Sequence, residues 1–519
     1  MKKYTISTLF SLLLIFSALT VESQIAKICV ISDPHVFDTS TLLINDGTAF
    51  QTWLSKDKKM IRESEPIIAS VVDSIIAENP DIVLVPGDLT KDGELACHWL
   101  VSGYLQQLEN AGIKVFVAPG NHDIMNPNAV AFNGDSLISV LSIIPLDFRT
   151  IYANFGFNEA IYTDTSSLSY IAEPVSGIWI LSMDVCRYDS NYIKMKSETS
   201  GGFKDNTLAW VKDRLQDAKS NKKLVFGMMH HGLLEHYEGQ KTLFPKYVID
   251  DWDTISTQLA DLGLQVVFTG HFHSQDIVKK TGSKGHPVYD IETGSTITYP
   301  CPYRIIELTN DTVLNIDGKR IEHVNYPTDT LTFQQYAEAF ILDGMPDLIR
   351  NMLMSPPYNL DSANATTIEP AITESFMAHY SGDEGTPSSS TQFVILFLKN
   401  DSVYYFMGNA LEAIWNDPAP SDWQTSIDLK TGGVGISESE QKEKVQIFPN
   451  PAAGVLNIQL PESYHIEFLS VFDNNGRIMI LEKLDTNNFA LDLSDYESGI
   501  YYLQLRNNGI DEVYKIILN

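Results

Sequence analysis

Five short clusters of His, Asp and Asn residues constrain the fold of this chain more than any other feature. Each cluster directly follows an apolar run that is typical of a β-strand. The clusters are Asp33-Pro34-His35, Gly87-Asp88, Gly120-Asn121-His122-Asp123, His230-His231 and Gly270-His271-Phe272-His273. In open α/β sheets the carboxyl ends of the strands converge on one crevice. We therefore expect the five clusters to meet in space, although they are far apart in the sequence.

The apolar runs alternate with helical patterns. Residues 26–32 form a continuous apolar stretch, as a strand covered on both faces would, and residues 65–77 have apolar side chains on one helical face. Strands are also predicted at 81–86, 114–118, 178–183, 224–229 and 265–269, and helices at 94–110, 206–219 and 254–262. This alternation predicts a largely parallel sheet with helices on its faces. Further strands at 288–292, 304–308 and 312–316 would complete a second, more antiparallel sheet.

The residue types in the clusters indicate metal binding. Carboxylate, imidazole and amide oxygen suit Zn, Mn or Fe, and not Ca. Seven such ligands are too many for one ion, but they suit two ions about 3.5–4 Å apart that share a bridging carboxylate. A lone His or Gly-Asp usually belongs to a turn or a core. Five clusters in this arrangement are hard to obtain by chance, so the sequence predicts a dimetal site that clamps a phosphoryl group.

In order and spacing, the clusters resemble the motifs of the calcineurin-like metallophosphoesterase superfamily, over residues 24–320 and with no motif missing. The resemblance implies an α/β fold in which two sheets pack face to face between helices, an αββα sandwich. It implies that Asp88 bridges two divalent or trivalent metal ions (Zn, Mn or Fe). It also implies that His122 contacts the phosphate and protonates the leaving oxygen, while Asp123 orients His122. The implied metal ligands are Asp33, His35, Asp88 and His273 for one ion, and Asn121, His230 and His271, with Asp88, for the other.

Several neighbouring residues need separate interpretation. The superfamily places its ligand first after the strand at 224–229, which favours His230 over His231, and His231 either contacts substrate or packs. Asp92 and Glu94 are interpreted as solvated or helix-capping residues. Three further histidines match no position of the superfamily and are interpreted as non-ligands: His98, His236 and His286.

The N-terminus predicts export. Lys2 and Lys3 precede an apolar run at 9–19 and a cleavage site near Ser23, so residues 1–23 are predicted to be a signal peptide. The run is short for a span of about 20 residues, which disfavours the alternative of an uncleaved membrane anchor. Four cysteines contain no CxxC motif, and their pairing is left open. Cys29, in a strand pattern, is predicted to be a buried free thiol.

The rest of the chain divides by composition. Residues 321–415 are predicted to be a mixed α/β accessory segment with a helix near 333–354, which could be a lid or a recognition domain. Residues 416–444 are rich in Pro, Ser, Gly and charge and are predicted to be a linker. Residues 445–519 have short strands and turns at 474–476 and 507–509, which predict a small all-β sandwich.

This last segment resembles the type A C-terminal sorting domain of the type IX secretion system. The resemblance rests on the motifs at 447–451 (IFPNP), 473–477 (DNNGR) and 498–503 (SGIYYL). It implies a partner in the type IX secretion machinery, passage through the periplasm, and an enzyme on the cell surface or outside the cell, with no membrane span after removal of the signal. The alternative is a generic sandwich or a carbohydrate-binding module.

The formal net charge of −30 disfavours nucleic acid and anionic lipid as partners. Together these features predict a secreted, dimetal-dependent phosphoesterase that hydrolyses small phosphomonoesters or phosphodiesters by a metal-activated hydroxide. Monoester and diester substrates both remain open. The alternative is a catalytically inactive, surface-displayed binding or adhesion protein that reuses the fold, for which eroded metal ligands would be expected.

Overall fold

The computed structural model of the chain describes residues 24–310, 312–356, 358–417, 419–430, 433–435, 446–459, 468–473, 478–483, 488–494, 496–507 and 510–519. The predicted signal peptide, residues 436–444 of the predicted linker, the predicted turn at 474–476 and most of that at 507–509 lie outside these ranges. The chain divides into two compact units, Met1–Ser437 and Glu438–Asn519.

The strands of the first unit are short. They are β1 (Gln24–Val30), β2 (Leu43–Asn45), β3 (Ile82–Val85), β4 (Lys114–Val117), β5 (Val130–Asn133), β6 (Ser136–Ser139), β7 (Ala160–Thr163), β8 (Tyr170–Val175), β9 (Ile178–Ser182), β10 (Leu224–Met228), β11 (Val266–Thr269), β12 (Asp276–Thr281), β13 (Pro287–Glu292), β14 (Pro302–Thr309), β15 (Val313–Arg320), β16 (Gln424–Asp428) and β17 (Gly433–Gly435).

The helices of this unit are α1 (Thr39–Leu42), α2 (Thr48–Leu54), α3 (Ser64–Glu78), α4 (Leu95–Asn110), α5 (Pro145–Ile151), α6 (Asn191–Lys194), α7 (Asp205–Ser220), α8 (Gln240–Leu243), α9 (Trp252–Leu262), α10 (Phe333–Met354), α11 (Ser362–Ser381), α12 (Ser389–Lys399) and α13 (Tyr405–Ile414). Two short helices of other types cover Ala153–Phe157 and Tyr188–Ser190. The helices and strands predicted from the sequence for residues 26–320 are confirmed, with ends that differ by a few residues.

Two seven-stranded sheets form the body of the unit. Their strand orders are β17-β16-β15-β14-β1-β3-β4 and β12-β13-β11-β10-β9-β8-β7. In the first sheet β1, β3 and β4 are parallel, and in the second β9, β10, β11 and β13 are parallel. The first sheet has antiparallel strands at one end, from β14 to β17, and the second has them at both ends. A small third sheet has the order β2-β5-β6.

The two large sheets pack face to face. Ile28 and Leu84 from the first sheet share one buried core with Phe226 and Phe268 from the second. Alternate residues of the same strands point outward, as the two-residue period of a strand requires. On the first sheet they pack against α3 and α4, and on the second against α7 and α9. The predicted αββα sandwich is therefore confirmed.

The sequence assigned two strands to the wrong sheet. β14 and β15 were expected to complete a second, more antiparallel sheet, but β14 pairs antiparallel with β1, with Ile28 opposite Ile306. β15 then pairs with β14. Only β13 of the three late strands joins the second sheet, parallel to β11. Antiparallel strands therefore lie in both sheets, at one end of the first and at both ends of the second.

The segment predicted as mixed α/β is helical. Between residues 321 and 415 the described residues form α10 to α13 and no strand. α10 begins with a capping box at Thr332, and α10 and α11 continue past Pro346 and Pro370. Proline removes a helical hydrogen bond and usually ends a helical pattern in a sequence. In α10, burial of an apolar face that includes Ile341 and Met345 stabilises the helix where Pro346 removes a hydrogen bond.

Part of the predicted linker belongs to the first sheet. β16 pairs antiparallel with β15, with Thr425 opposite Ile316, and β17 pairs with β16. Ile427 is fully buried in the core between the sheets. The first unit therefore continues past the boundary at residue 415 that composition suggested.

The second unit contains antiparallel strands, as predicted. One sheet has the order β18-β19-β22 and the other β21-β20-β23-β24. Leu456, Leu469, Leu503 and Ile516 are buried in its core. The strands are β18 (Gln446–Phe448), β19 (Val455–Gln459), β20 (Phe468–Asp473), β21 (Ile478–Lys483), β22 (Asn488–Asp492), β23 (Gly499–Asn507) and β24 (Ile510–Leu518).

Cys29 is a buried free thiol, as predicted, and the other three cysteines are also buried and free. In the described ranges, none of the helices has the length and apolar character needed to cross a membrane.

Candidate metal centre

The five clusters predicted from the sequence meet at the carboxyl ends of five strands. Asp33 and His35 follow β1, Asp88 follows β3, and Asn121 follows β4, all in the first sheet. His230 follows β10, and His271 and His273 follow β11, in the second sheet. All seven predicted ligands are at least 93% buried, because the two sheets and their connecting loops enclose them.

Asp33, His35 and His273 form one group whose ligand atoms face each other. The Nε2 atoms of His35 and His273 are 3.3 Å apart. Asp33 Oδ1 lies 3.5 Å from Nε2 of His273 and 3.9 Å from Nε2 of His35. The other oxygen of Asp33 accepts hydrogen bonds from the Ser32 hydroxyl and the His271 backbone N–H. Oδ1 of Asp33 has no hydrogen-bond partner among the described residues, which leaves it free for an ion.

His230 belongs to a second group with Asp88 and His271. Its Nδ1–H donates to the Pro86 carbonyl at 3.0 Å, so Nε2 carries a lone pair when the ring is neutral. That Nε2 lies 3.0 Å from Oδ1 of Asn121 and 3.3 Å from Oδ2 of Asp88. When the His230 ring is neutral, these are three acceptor atoms that face one another, an arrangement suited to a cation between them.

Asp88 lies between the two groups. Its Oδ2 is 3.6 Å from Nε2 of His35 in the first group and 3.3 Å from Nε2 of His230 in the second. Its Oδ1 accepts the backbone N–H of His122 at 2.8 Å, which fixes the orientation of the carboxylate. Asp88 therefore lies between the two groups, and its bridging of two ions stays a prediction.

The electrostatics of the site divide its imidazoles into two kinds. Burial lowers the pKa of His35 and of His271 well below the usual range, so both rings are neutral and can offer lone pairs to an ion. Burial also opposes the charged form of His230, but the Asp88 carboxylate outweighs it and raises the pKa of His230 to about 9. The proton on Nε2 of His230 lies between this ring and the oxygens of Asn121 and Asp88, in the position that a bound cation would take.

The turns that carry the ligands have unusual backbone conformations. Asp33, His35, Asp88, His271 and His273 all have positive φ angles, between 38° and 77°. Such conformations are costly for residues other than glycine, and they cluster at functional sites, where the surrounding structure enforces them. A Cβ atom on Gly120 would collide with the Asp88 backbone, and one on Gly270 would collide with Ser32 and Asp33.

The orienting partner of His122 is Asp92, and not Asp123 as the resemblance implied. Nδ1 of His122 lies 2.7 Å from the Lys91 carbonyl oxygen and 3.0 Å from Oδ1 of Asp92. Nε2 is directed toward the site and lies 3.9 Å from Oδ2 of Asp88. Burial lowers the pKa of His122, but Asp88 and the hydrogen bond to Asp92 outweigh this and raise it.

Asp123 has a structural role instead. Its carboxylate accepts hydrogen bonds from the backbone N–H groups of Leu89, Thr90 and Gly120, and from the Thr90 hydroxyl. It therefore joins the turn after β3 to the turn after β4. His98, a buried non-ligand, supports the same turn, because its Nε2 lies 2.8 Å from the Asp123 carbonyl oxygen.

Asp92 and Glu94, which the sequence placed in solvent or at a helix cap, are buried. Both pair with Lys91, which is itself fully buried: its Nζ lies 2.5 Å from Oδ2 of Asp92 and 2.9 Å from Oε1 of Glu94. Glu94 does precede α4 at the N-cap position, but its side chain makes no cap hydrogen bond. In the sequence, this buried ion-pair network is marked only by the run Lys91-Asp92-Gly93-Glu94, which follows the turn at Asp88.

His231 packs beside the site. It is fully buried, its Nε2 lies 2.8 Å from the Thr199 carbonyl oxygen, and its ring centroid lies 4.2 Å from that of His271. His236 lies in a different buried network, with Nδ1 3.0 Å from Oδ2 of Asp276. Of the two histidines after β10, the structure therefore brings His230, and not His231, to the group around Asp88.

The comparisons with known families agree with both resemblances. Residues 26–275 match the model of the calcineurin-like phosphoesterase family, and residues 446–519 match that of the secretion system C-terminal sorting domain. The chain therefore contains a calcineurin-like phosphoesterase domain and a C-terminal sorting domain, as the sequence predicted. No curated protein matches the chain.

Solved structures with similar folds have low sequence identity to this chain. A dimetal phosphatase from Danio rerio is 13% identical over 58% of this chain and 97% of its own, with a TM-score of 0.40. A purple acid phosphatase from yellow lupin (Lupinus luteus) seeds is 10% identical over 59% and 52%, with a TM-score of 0.37. A sulfate thiohydrolase from Thermus thermophilus, in complex with glycerol, is 11% identical over 63% and 61%, with a TM-score of 0.31.

Proposed function

We propose that this chain is an exported, metal-dependent phosphoesterase that hydrolyses small phosphomonoesters or phosphodiesters. The observation that carries the proposal is the convergence of two carboxylates, one amide oxygen and four imidazoles on one site, with Asp88 between its two groups. The match of residues 26–275 to the calcineurin-like phosphoesterase family supports it independently.

The donor set fits two metal ions. Asp33 Oδ1 and His35 Nδ1 are buried polar atoms without hydrogen-bond partners in the described chain. Three acceptors meet at His230, Asn121 and Asp88, as described above. Nitrogen and carboxylate donors in this mixture suit Zn, Mn or Fe. Two such ions, when bound, would supply Lewis acidity toward a phosphoryl group and lower the pKa of a water molecule.

His122 is placed to handle a proton. Its side chain is 27% exposed, more than any of the ligand side chains around it, and it lines the cavity above the site. Lys91 and Asp92 hold the Nδ1 side of the ring, so Nε2 is the atom that faces a substrate. The Asp88 carboxylate and the hydrogen bond to Asp92 raise the pKa of His122, which favours the protonated imidazole. In the proposed reaction His122 donates that proton to the leaving oxygen.

Export is proposed from the two ends of the chain. The C-terminal sorting domain supports delivery by secretion machinery to the cell surface or the outside. The predicted signal peptide would provide the earlier step, passage into the periplasm. The four thiols are buried, so the fold needs no disulfide in that compartment.

The test combines metal analysis with paired chromogenic phosphomonoester and phosphodiester substrates. We expect wild-type protein to bind about two ions per chain and to hydrolyse at least one substrate class. Asn121→Ala should lose metal and activity together. His122→Ala should keep its metal and lose activity by about 10²–10⁴-fold, the usual contribution of a general acid.

Two results would contradict the proposal. Wild-type protein with a full complement of metal and no activity on any phosphoester would remove the catalytic function. Wild-type protein that binds no metal would favour the alternative, a surface-displayed binding protein that reuses the fold.

A further inference from the structure

A cavity of about 320 Å³ opens onto the candidate metal centre. His35, Asp88, His122 and His273 lie at its base. Small-molecule sites range from about 300 to 1,000 Å³, so this cavity suits one phosphate and a modest substituent. The walls above the base come mainly from segments outside the five clusters: the loop after α2, the segment after α8, and helices α10 and α11.

One wall is aromatic and begins at the metal centre itself. Phe272 lies between two predicted ligands, His271 and His273, and its ring packs against other aromatic rings. Its centroid lies 4.9 Å from that of Tyr247, 5.5 Å from that of Phe244 and 6.2 Å from that of Phe376. The turn that presents two imidazoles to the metal centre therefore also fixes an aromatic surface beside it.

A second wall is one face of α10. Met345, Leu348, Ile349 and Met352 line the cavity at positions i, i+3, i+4 and i+7, which is the spacing of a single helical face. Ile349 is buried by the neighbouring helices, whereas Leu348 and Met352 are only half-buried and open into the cavity. Methionine adapts its shape to apolar ligands because its chain is unbranched.

The rim carries cations. Lys56, Lys58 and Lys59 lie together at the cavity, with Asp57 as the one acidic residue among them. Nζ of Lys58 lies 4.1 Å from the centroid of the Tyr380 ring, so it joins the rim to the aromatic wall, and burial lowers the pKa of Lys58 to about 7. Lys56 and Lys59 therefore supply most of the positive charge of the rim, which is matched to an anion in a chain with a net charge of −30.

We propose that the substrate is a phosphate ester whose ester group is apolar, an alkyl or aryl group, with the phosphate at the metal centre and the apolar group against α10 and Phe272. This inference rests on the phosphoesterase function proposed above. The lysine rim complements the charge of the phosphate, and the two apolar walls complement the substituent.

The same walls disfavour sugar phosphates. A sugar hydroxyl placed against Leu348, Met352 or Phe376 would lose its hydrogen bonds to water without gaining a partner, which is costly. Thr199 is the single uncharged hydroxyl-bearing residue, apart from the two tyrosines, that lines this cavity in the described chain. An alkyl or aryl group buries apolar surface there instead.

The experiment measures binding, so that it does not depend on turnover. Metal-loaded full-length protein is titrated calorimetrically with methylphosphonate and with octylphosphonate, neither of which can be hydrolysed. We expect octylphosphonate to bind at least about tenfold more tightly, since each buried methylene contributes about fourfold.

Leu348→Gln should weaken octylphosphonate several-fold and leave methylphosphonate unchanged. Leu342→Gln, on an exposed part of the same helix, is the matched control and should behave as wild type.

Equal binding of the two phosphonates by wild-type protein would overturn the inference, as would tighter binding of adenosine 5′-monophosphate or glycerol phosphate than of octylphosphonate. Equal effects of Leu348→Gln and Leu342→Gln would also overturn it. If the chain-length preference is found but no phosphoester is hydrolysed, the proposed function fails and the binding pocket stands. If esters are hydrolysed without any such preference, only the inference about the pocket fails.

Discussion

Oδ1 of Asp92 lies 3.0 Å from Nδ1 of His122, so a carboxylate from the loop after β3 holds the imidazole that follows β4. Replacing Asp92 with Asn keeps the shape but removes the charge that supports the protonated ring. We expect Asp92→Asn to lower kcat by about 10–100-fold, the usual effect of losing an orienting partner. The measurement is kcat at saturating substrate, with metal content determined on the same preparation.

Asp123→Asn is the matched comparison for that variant. Asp123 accepts four hydrogen bonds from the turns after β3 and β4 and makes none to His122. We expect Asp123→Asn to lower the thermal stability and the metal content. A selective loss of kcat in Asp123→Asn, with Asp92→Asn unaffected, would restore the role that the resemblance implied for Asp123.

The sequence predicted which residues converge because each cluster directly follows a strand and the strand ends meet. His230 could be chosen over His231 by that order. The partner of His122 could not, because Asp92 and Asp123 both lie close to ligand turns, and only the path of the loop after β3 decides which carboxylate reaches the ring. The cavity walls could not be predicted for a similar reason, because no pattern in the sequence of α10 indicates which other element it packs against.

The fold was predictable where local patterns agree with tertiary structure. β1, β3 and β4 are continuous apolar runs, and α3 has a clear apolar face. The partner of β14 depends on a pairing with β1 between residues more than 270 positions apart, which no local pattern records. α10 and α11 contain prolines, and β16 lies in a polar, proline-rich stretch, so local composition pointed away from the structure that packing stabilises.

Lys91 is predicted to be essential for stability. It is fully buried between Asp92 and Glu94, so Lys91→Met leaves Glu94 without a cation and leaves Asp92 with His122 alone. Breaking a buried pair in this way costs about 3–5 kcal/mol. We expect Lys91→Met to lower the free energy of unfolding by that amount, as measured by chemical denaturation. Adding Glu94→Gln should recover part of the loss, while Lys219→Met, at an exposed position, should have almost no effect.

Gly120 allows the turns after β3 and β4 to approach each other. A side chain at this position would collide with the backbone and carboxylate of Asp88. We expect Gly120→Ala to lose at least one metal ion per chain, measured by elemental analysis. Gly103, exposed on α4 with open space around it, is the matched control. Gly103→Ala should keep its metal and be stabilised by about 0.5–1 kcal/mol, so equal metal content in the two variants would contradict the prediction.

The stability of the first unit should depend on the protonation of Asp417. Burial, reinforced by Glu384, Asp276 and Asp383, raises the pKa of Asp417 to about 7, against the opposing effect of His379. The folded state then binds a proton that the unfolded state releases, so stability is lost as pH rises from about 4 to 7.

Asp417→Asn removes this penalty. Because the residue is only half-buried, we expect a gain of no more than about 2 kcal/mol at pH 8 and almost none at pH 4. The gain in stability is measured as the difference in Tm between variant and wild type, followed from pH 4 to pH 8. A difference that is independent of pH would show that Asp417 titrates normally.

The boundary of the catalytic unit can be tested by truncation. A chain of residues 24–437 keeps β16, which pairs with β15, and keeps Asp422, whose carboxylate accepts the backbone N–H groups of Ile277 and Asp383 at 2.7 Å. A chain of residues 24–415 loses both, and the fully buried Arg304 loses the Asp422 carbonyl as an acceptor. Leaving a buried charged donor unsatisfied costs more than about 1–3 kcal/mol.

We expect the longer chain to keep metal content, activity and the Tm of the full-length phosphoesterase unit, and the shorter chain to unfold at lower temperature or to aggregate. If the two truncated chains are equally stable, residues 416–437 are a linker, as their composition first suggested.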